Sequence, residues 1–264
     1  MAVFGLWLIV ITGLLTGMIF TVAPELDLDI AALMQDPQVR LALKPFASAI
    51  SAIRELNFRL TLLIVGLAGA VLLFQAIRRR PALHVPNRMA LLVILSFALA
   101  PGLLVNGILK EHWSRPRPYS VAELGGHQPF KAWWDTSGAC ERNCSFVSGE
   151  ASSAFATLAV AALASGPWQY AAITGALAYG LVVGLVRMIA GGHFLTDVIF
   201  AGVLTALIVW LLHGYLFRWR SQDGALSPPW AATLSRLRGR RPGVSDAKGG
   251  YAGAVVSSSS GPAR

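Results

Sequence analysis

Of the 264 residues, 55% are apolar and only 13% are charged, and the net charge is +9. A water-soluble domain of this size spreads its apolar residues with the period of its helices and strands; here they stand in long blocks, which argues against an ordinary soluble fold. The basic excess sits in a loop and a tail that adjoin apolar blocks, without a DNA-binding motif, so it reads as membrane orientation and not as nucleic-acid binding.

About 20 apolar residues are needed to cross a bilayer as a helix. The first block, residues 4–22, has that length. A cleaved secretory signal also begins with an apolar run and would leave five spans. However, Met1–Val3 carry no Lys or Arg and the run is long for a signal core, so the block is read as a retained span. Within 44–59, Phe46, Ile50, Ile53 and Leu56 share a helical stripe from which Lys44, Arg54 and Arg59 are excluded. This pattern suits a helix lying in the outer interface, or one packed on the bundle. Further spans are predicted at 60–77, 89–109, 147–165, 171–190 and 197–217, with a kink at Pro101. The fourth is the least apolar, because it contains Ser148, Glu150, Ser152 and Ser153.

The expected fold is an all-α, polytopic membrane bundle of about six helices. Residues 1–217 make the transmembrane domain, and 218–264 make a basic tail rich in Pro, Gly, Ser and Arg. That tail cannot bury enough apolar surface to order itself, apart from a short surface helix near 230–237. Arg78, Arg79, Arg80 and Arg88 flank one short loop, and Arg218, Arg220, Arg236, Arg238, Arg240, Arg241 and Lys248 lie in the tail. Positive charge is retained on the cytoplasmic side, so both termini are expected inside, with segments 23–59, 110–146 and 190–196 outside.

Three polar clusters interrupt the apolar chain, and this topology places all three on the outer face. The first runs from Lys110 through Arg117 to Pro118, the second is Ser145-Phe-Val-Ser148-Gly149-Glu150, and the third runs from Arg187 through His193 to Asp197. Lys110, Arg117 and Arg187 offer positive charge and fixed donors to a phosphoryl group. Ser148 and Gly149 begin a helix, where free N–H groups hold anions. His193 and Asp197 are four apart, so on a helix they share a face. There the carboxylate would accept from one imidazole nitrogen and leave the other free to attack phosphorus. Cys140 and Cys144 fall in an outer loop, where an oxidising compartment permits a disulfide; free thiols are the alternative, and too few neighbouring ligands exist for zinc.

These clusters resemble the motifs of the type 2 phosphatidic acid phosphatase and vanadium haloperoxidase superfamily. Lys110, Arg117 and Pro118 match its first motif, Ser148 and Gly149 its second, and Arg187, His193 and Asp197 its third, at the family's spacing. The resemblance spans about residues 60–217. It implies a phosphohistidine on His193, oriented by Asp197, with phosphate held by Lys110, Arg117, Ser148, Gly149 and Arg187, and it implies no metal and no cofactor. Within the superfamily the first two clusters resemble those of bacterial lipid A phosphatases.

Three positions depart from the pattern: Val147 replaces Pro, Val186 replaces Ser, and Glu150 replaces the His that protonates the leaving oxygen. Glu150 is expected to serve as that acid, with a pKa lifted toward neutrality by burial and by bound phosphate. The implied activity is hydrolysis of a phosphorylated membrane lipid: lipid A, polyprenyl diphosphate, phosphatidylglycerophosphate or phosphatidate. A lipid phosphotransferase using the same phosphohistidine and a non-catalytic phospholipid-binding protein are the alternatives. Peroxidase chemistry is set aside because those members of the superfamily are soluble. Trp113, Trp133 and Trp134 are read as interface anchors, and His112 and His127 as solvated loop residues.

Overall fold

Residues 3–78 and 86–219 are described by the computed structural model, and the regular elements among them are all helical. The tail beyond residue 219, with its expected disorder and its helix near 230–237, lies outside the described residues. The first helix, α1 (Val3–Val22), contains no charge and stops before Pro24. Two short helices follow, α2 (Glu25–Gln35) and α3 (Pro37–Leu43). Asp36 starts the second of these by accepting hydrogen bonds from the N–H groups of Gln38 and Val39 at 2.8 and 3.2 Å, with Pro37 in the first helical position.

The next helix, α4 (Ala47–Arg78), runs unbroken for 32 residues, about 48 Å at the α-helical rise. The expected division between an interfacial helix at 44–59 and a span at 60–77 is therefore absent. No Gly, Pro or capping residue stands at Arg59-Leu60, so helix propagation continues through that point. In the following hairpin partner, α5 (Asn87–Phe97) passes into a π-helix over Ala98–Leu109 and a last turn, α6 (Lys110–His112). The irregularity expected at Pro101 takes this form, because proline has no N–H to give. Asn106 Nδ2 donates to the Pro101 carbonyl at 2.7 Å across the widened turn.

Among the described residues, five helices are long and apolar enough to cross a membrane: Phe4–Val22, Pro37–Arg78, Asn87–His112, Pro167–Ile189 and Leu195–Arg218. The fourth predicted block is not among them. It forms two short helices, α7 (Gly149–Phe155) and α8 (Leu158–Ala161), joined by a turn at Ala156-Thr157. After it, α9 (Pro167–Ile189) runs back toward Ser148, so the segment 149–166 carries the chain from one end of the bundle to the other. Ala151, Ala154, Phe155, Ala156, Leu158 and Ala159 are buried, so most of this segment meets protein and not lipid, with Val160 the exposed exception among its large apolar side chains. Small side chains suit that position better than bulky apolar ones, since they let neighbouring backbones approach.

The last helix is α10 (Leu195–His213), which ends in a π-turn over Gly214–Arg218. It meets α9 at Gly184, where an added Cβ would lie 2.2 Å from Val198 Cγ1. Two apolar layers stack along the bundle. One holds Val105, Phe146, Val147, Phe155, Met188 and Val198, and the other Leu92, Leu158, Ala176, Ala206 and Val209. Trp113 and Trp133 pack against the first layer and stay partly exposed: Trp113 stacks on Phe146 at 4.5 Å and Trp133 on Phe200 at 4.6 Å. Exposed Leu14 and Met18 on α1, with Leu62, Leu67 and Leu73 on α4, present an apolar face of the kind a bilayer covers. By helix direction, Val22, Ala47, His112, Gly149 and Leu195 mark one end of the bundle, and Arg78, Asn87, Pro167 and Arg218 the other.

Candidate active site

The three polar clusters meet at the first of these ends. His193 is buried in the link between α9 and α10, two residues before the latter begins, so it does not share a helical face with Asp197. Its Nδ1 lies 2.8 Å from the Ser145 carbonyl and 3.6 Å from Asp197 Oδ2. The expected direct hydrogen bond to the carboxylate is thus taken over by a backbone oxygen from the second cluster. A carbonyl can only accept, so Nδ1 carries the proton and Nε2 the lone pair. Asp197 stands behind this pair: Oδ2 accepts from the Ser145 hydroxyl and, at 2.9 Å, from the Phe194 N–H at the start of α10. Burial pushes the His193 imidazole below its ordinary value, against the pull of Asp197.

The cations converge around this imidazole from separate elements. Arg117 donates through Nε and Nη2 to the Asn143 carbonyl, at 3.0 and 2.8 Å, and through Nη2 to Asn143 Oδ1 at 2.7 Å. Lys110 Nζ donates to the same Oδ1 at 3.2 Å. Asn143 is positioned by its neighbour Cys144, whose sulfur bridges to Cys140 (Cα separation 5.7 Å) and whose N–H donates to the Lys110 carbonyl at 3.0 Å. Gly149 lies against Lys110, and a Cβ there would be 3.3 Å from Nζ and 2.7 Å from Asn106 Oδ1. A side chain at 149 would clash with Asn106 and press on the Lys110 ammonium. Ser148 is buried, donates its N–H to the Asp197 carbonyl at 3.1 Å, and caps α7 by accepting from the Ala151 N–H.

Glu150 completes the ring, in a form the sequence did not lead us to expect. Arg54 of α4 grips its carboxylate with Nε and Nη2 at 3.1 and 3.0 Å, and Arg187 Nε approaches Oε1 at 3.4 Å. Burial works to raise its pKa, but the Arg54 hydrogen bonds and the charges of Arg187 and Arg54 outweigh it. The carboxyl therefore titrates below its ordinary value, not near neutrality as expected. An ionised Glu150 occupies the cations as a phosphate oxygen would. Beside it, Arg54, Asn57, Asn106, Lys110, Glu150 and Ser153 line a cleft of about 570 Å3 between α4 and the π-helix. Among the described residues, no group of three or more His, Cys, Asp or Glu side chains could hold a metal ion.

Sequence reasoning passed over Arg54, Asn143 and the anchoring residues Asp27, Arg115 and Thr196. Arg115 donates to Asp197 at 2.7 Å and to Asp27 at 2.8 Å, wholly inside the protein. Its position directly before Pro116 in the first cluster was the one available signal. Arg54 read as the polar side of an amphipathic helix.

The PAP2 superfamily model matches residues 90–221, half of the chain. The chain belongs to the PAP2 superfamily. It is similar to the lipid A 4'-phosphatase of Francisella tularensis subsp. novicida (strain U112), at 38% identity over 121 residues, which are 46% of this chain and 54% of that one. The lipid A 4'-phosphatase of Rhizobium leguminosarum is 39% identical over 111 residues, 42% of this chain and 47% of the relative. That of Rhizobium etli is 40% identical over 111 residues, 42% and 43%. The chain thus aligns with about half the length of these curated relatives. No solved structure matches it. The PAP2 match begins at residue 90, so α1 to α4, with Asp27 and Arg54, lie outside it.

Proposed function

We propose that this protein is a membrane phosphatase that hydrolyses a phosphorylated lipid headgroup, with lipid A as the leading substrate. The observation that carries the reading is a buried His193 whose Nδ1 is engaged by the Ser145 carbonyl, in the field of Lys110 and Arg117, with Arg187 beside the neighbouring Glu150. Substrate phosphate displaces the Glu150 carboxylate from Arg187 and Arg54 and takes their charge. Nε2 attacks phosphorus, the P–O bond to the lipid breaks, and a proton from Glu150 neutralises the leaving oxygen. Glu150 receives that proton in the complex, where the phosphate dianion occupies the arginines and raises its pKa. The Ser145 carbonyl and Asp197 stabilise the imidazolium that develops. Water then attacks the phosphohistidine, Glu150 takes the water's proton, and inorganic phosphate leaves. The Ser148 N–H is spent on Asp197, so the Ser148 hydroxyl and the Gly149 N–H bind phosphate beside Lys110.

The choice among lipid A, polyprenyl diphosphate, phosphatidylglycerophosphate and phosphatidate is supported by the names of the similar proteins, which favour lipid A. Placement in the cell membrane, with both termini cytoplasmic and the site on the periplasmic or extracellular face, is supported by Arg78, Arg88 and Arg218 at the opposite end of the bundle. Phosphate release from a panel of these lipids in detergent, by wild type and His193→Ala, tests the reading. Wild type is expected to release phosphate from lipid A fastest, and His193→Ala to fall by a factor on the order of 10^3 or more. If no lipid yields phosphate, or if the variant keeps wild-type turnover, the reading fails. Phosphate appearing on an added acceptor lipid and not in water would replace hydrolysis by transfer.

A further inference from the structure

We propose that Asp27, on α2, is a positioning residue for the His193 nucleophile, acting through Arg115 and Asp197. The proposal rests on the reading of His193 given above and extends the site to a helix outside the PAP2 match. The side chains of Arg115, Asp27 and Asp197 are 0%, 2% and 0% exposed, so their charges face one another with no water between. Arg115 Nη1 donates to Asp197 Oδ1 at 2.7 Å and to Thr196 Oγ1 at 2.8 Å, and Nη2 donates to Asp27 Oδ2 at 2.8 Å. Nε donates to the Lys131 carbonyl at 3.0 Å, and the guanidinium lies 4.1 Å from the Phe194 ring centre. Asp27 also accepts the Thr196 N–H at 3.1 Å and the Thr196 hydroxyl, so a carboxylate of α2 caps the first turn of α10. The first turn of that helix carries Asp197.

Two consequences follow from this order of charges. Asp27 fixes the position of α10 relative to α2 and holds Arg115 in a single orientation. It also balances one of the two contacts Arg115 makes. One cation shared between two carboxylates leaves Asp197 with more negative charge than an undivided pair would, and that charge lies 3.6 Å from the His193 ring. Removing the Asp27 charge gives Arg115 wholly to Asp197 and lowers the basicity of His193. Removing Arg115 has the opposite effect. The other charges facing His193 are Lys110 at the end of the third span, Arg117 in the outer loop, Glu150 on α7 and Arg187 on α9. None of them is altered by these changes.

The test is the pH profile of kcat/KM in wild type, Asp27→Asn, Asp27→Glu and Arg115→Gln, each purified in detergent and checked for thermal melting. Asp27→Asn is expected to move the acid limb to lower pH, on the order of half a unit, and Arg115→Gln to move it upward. Asp27→Glu restores the charge and is expected to return the limb to the wild-type position. A merely structural anchor would lower activity in both variants without shifting the limb in opposite directions. If Asp27→Asn leaves the limb in place or moves it upward, the proposal is overturned. Should that variant not fold, the direction seen in Arg115→Gln decides alone, and an unmoved or downward limb sinks the proposal. An inactive His193→Ala beside unmoved limbs would reject this inference while leaving the nucleophile intact; an active His193→Ala would reject the nucleophile itself.

Discussion

At the scale of single residues, protonation states follow from what each side chain touches. In the proposed mechanism His193 attacks only when neutral, so activity is expected to be lost as pH falls through its pKa. Burial holds that pKa under the ordinary 6.5, so the acid limb of kcat/KM is expected to have its midpoint below pH 6.5. A midpoint above that value would mean that the neighbouring carboxylate outweighs burial. Glu150→Gln separates the two roles of this residue. Turnover of the lipid, a poor leaving group, is expected to drop roughly 10^2- to 10^3-fold, while the first-turnover burst of leaving group from an activated aryl phosphate keeps close to the wild-type rate, because that step needs no acid. Unchanged lipid turnover would remove Glu150 from the mechanism. The spacing of Lys110, Arg117, Arg187, His193 and Asp197 made these residues legible as candidates before any fold was known. The Ser145 carbonyl was not legible, because a backbone oxygen leaves no mark on side-chain chemistry. Asp27 and Arg54 were not legible either, since partners more than 80 positions away in the chain are set by folding alone.

At the scale of elements, helix ends and close approaches position the site. Arg187 lies near the end of α9 and Asp197 near the start of α10, and these helices touch at Gly184 and Val198. Gly184→Ala places a methyl group 2.2 Å from Val198 Cγ1. The expected cost is about 1–3 kcal/mol of stability from overpacking, seen as a lower melting temperature in detergent, with activity falling alongside. A variant that melts like wild type would show that the two helices separate freely. The Cys140–Cys144 bridge closes a loop only four residues apart and acts mainly by fixing Asn143, which holds Arg117 and Lys110. Reduction is therefore expected to raise KM about tenfold, the equivalent of one hydrogen bond to a charged group, with kcat little changed. The long apolar helices could be read from block length, but two boundaries could not. α4 has no breaking residue to mark where interface gives way to core, and the segment 149–166 is shielded by protein, so its Ala and Ser content imitates a weak span.

At the scale of the whole molecule, the groups proposed to touch phosphate gather at one end of the bundle and the described basic loop ends at the other. A cysteine placed at exposed His127, with Cys140 and Cys144 changed to Ser, is expected to react with a membrane-impermeant maleimide in right-side-out vesicles. One placed at Arg88 is expected to react only after permeabilisation; the reverse pattern would invert the orientation. All of this depends on a phosphoryl group passing through His193. Rapid acid-free quenching of the enzyme during turnover of 32P-labelled lipid, followed by peptide mapping, tests that most directly. The account predicts an acid-labile, base-stable label on His193 that disappears in His193→Ala. Continued phosphate release with no label on the protein, or with the label on another residue, would contradict it.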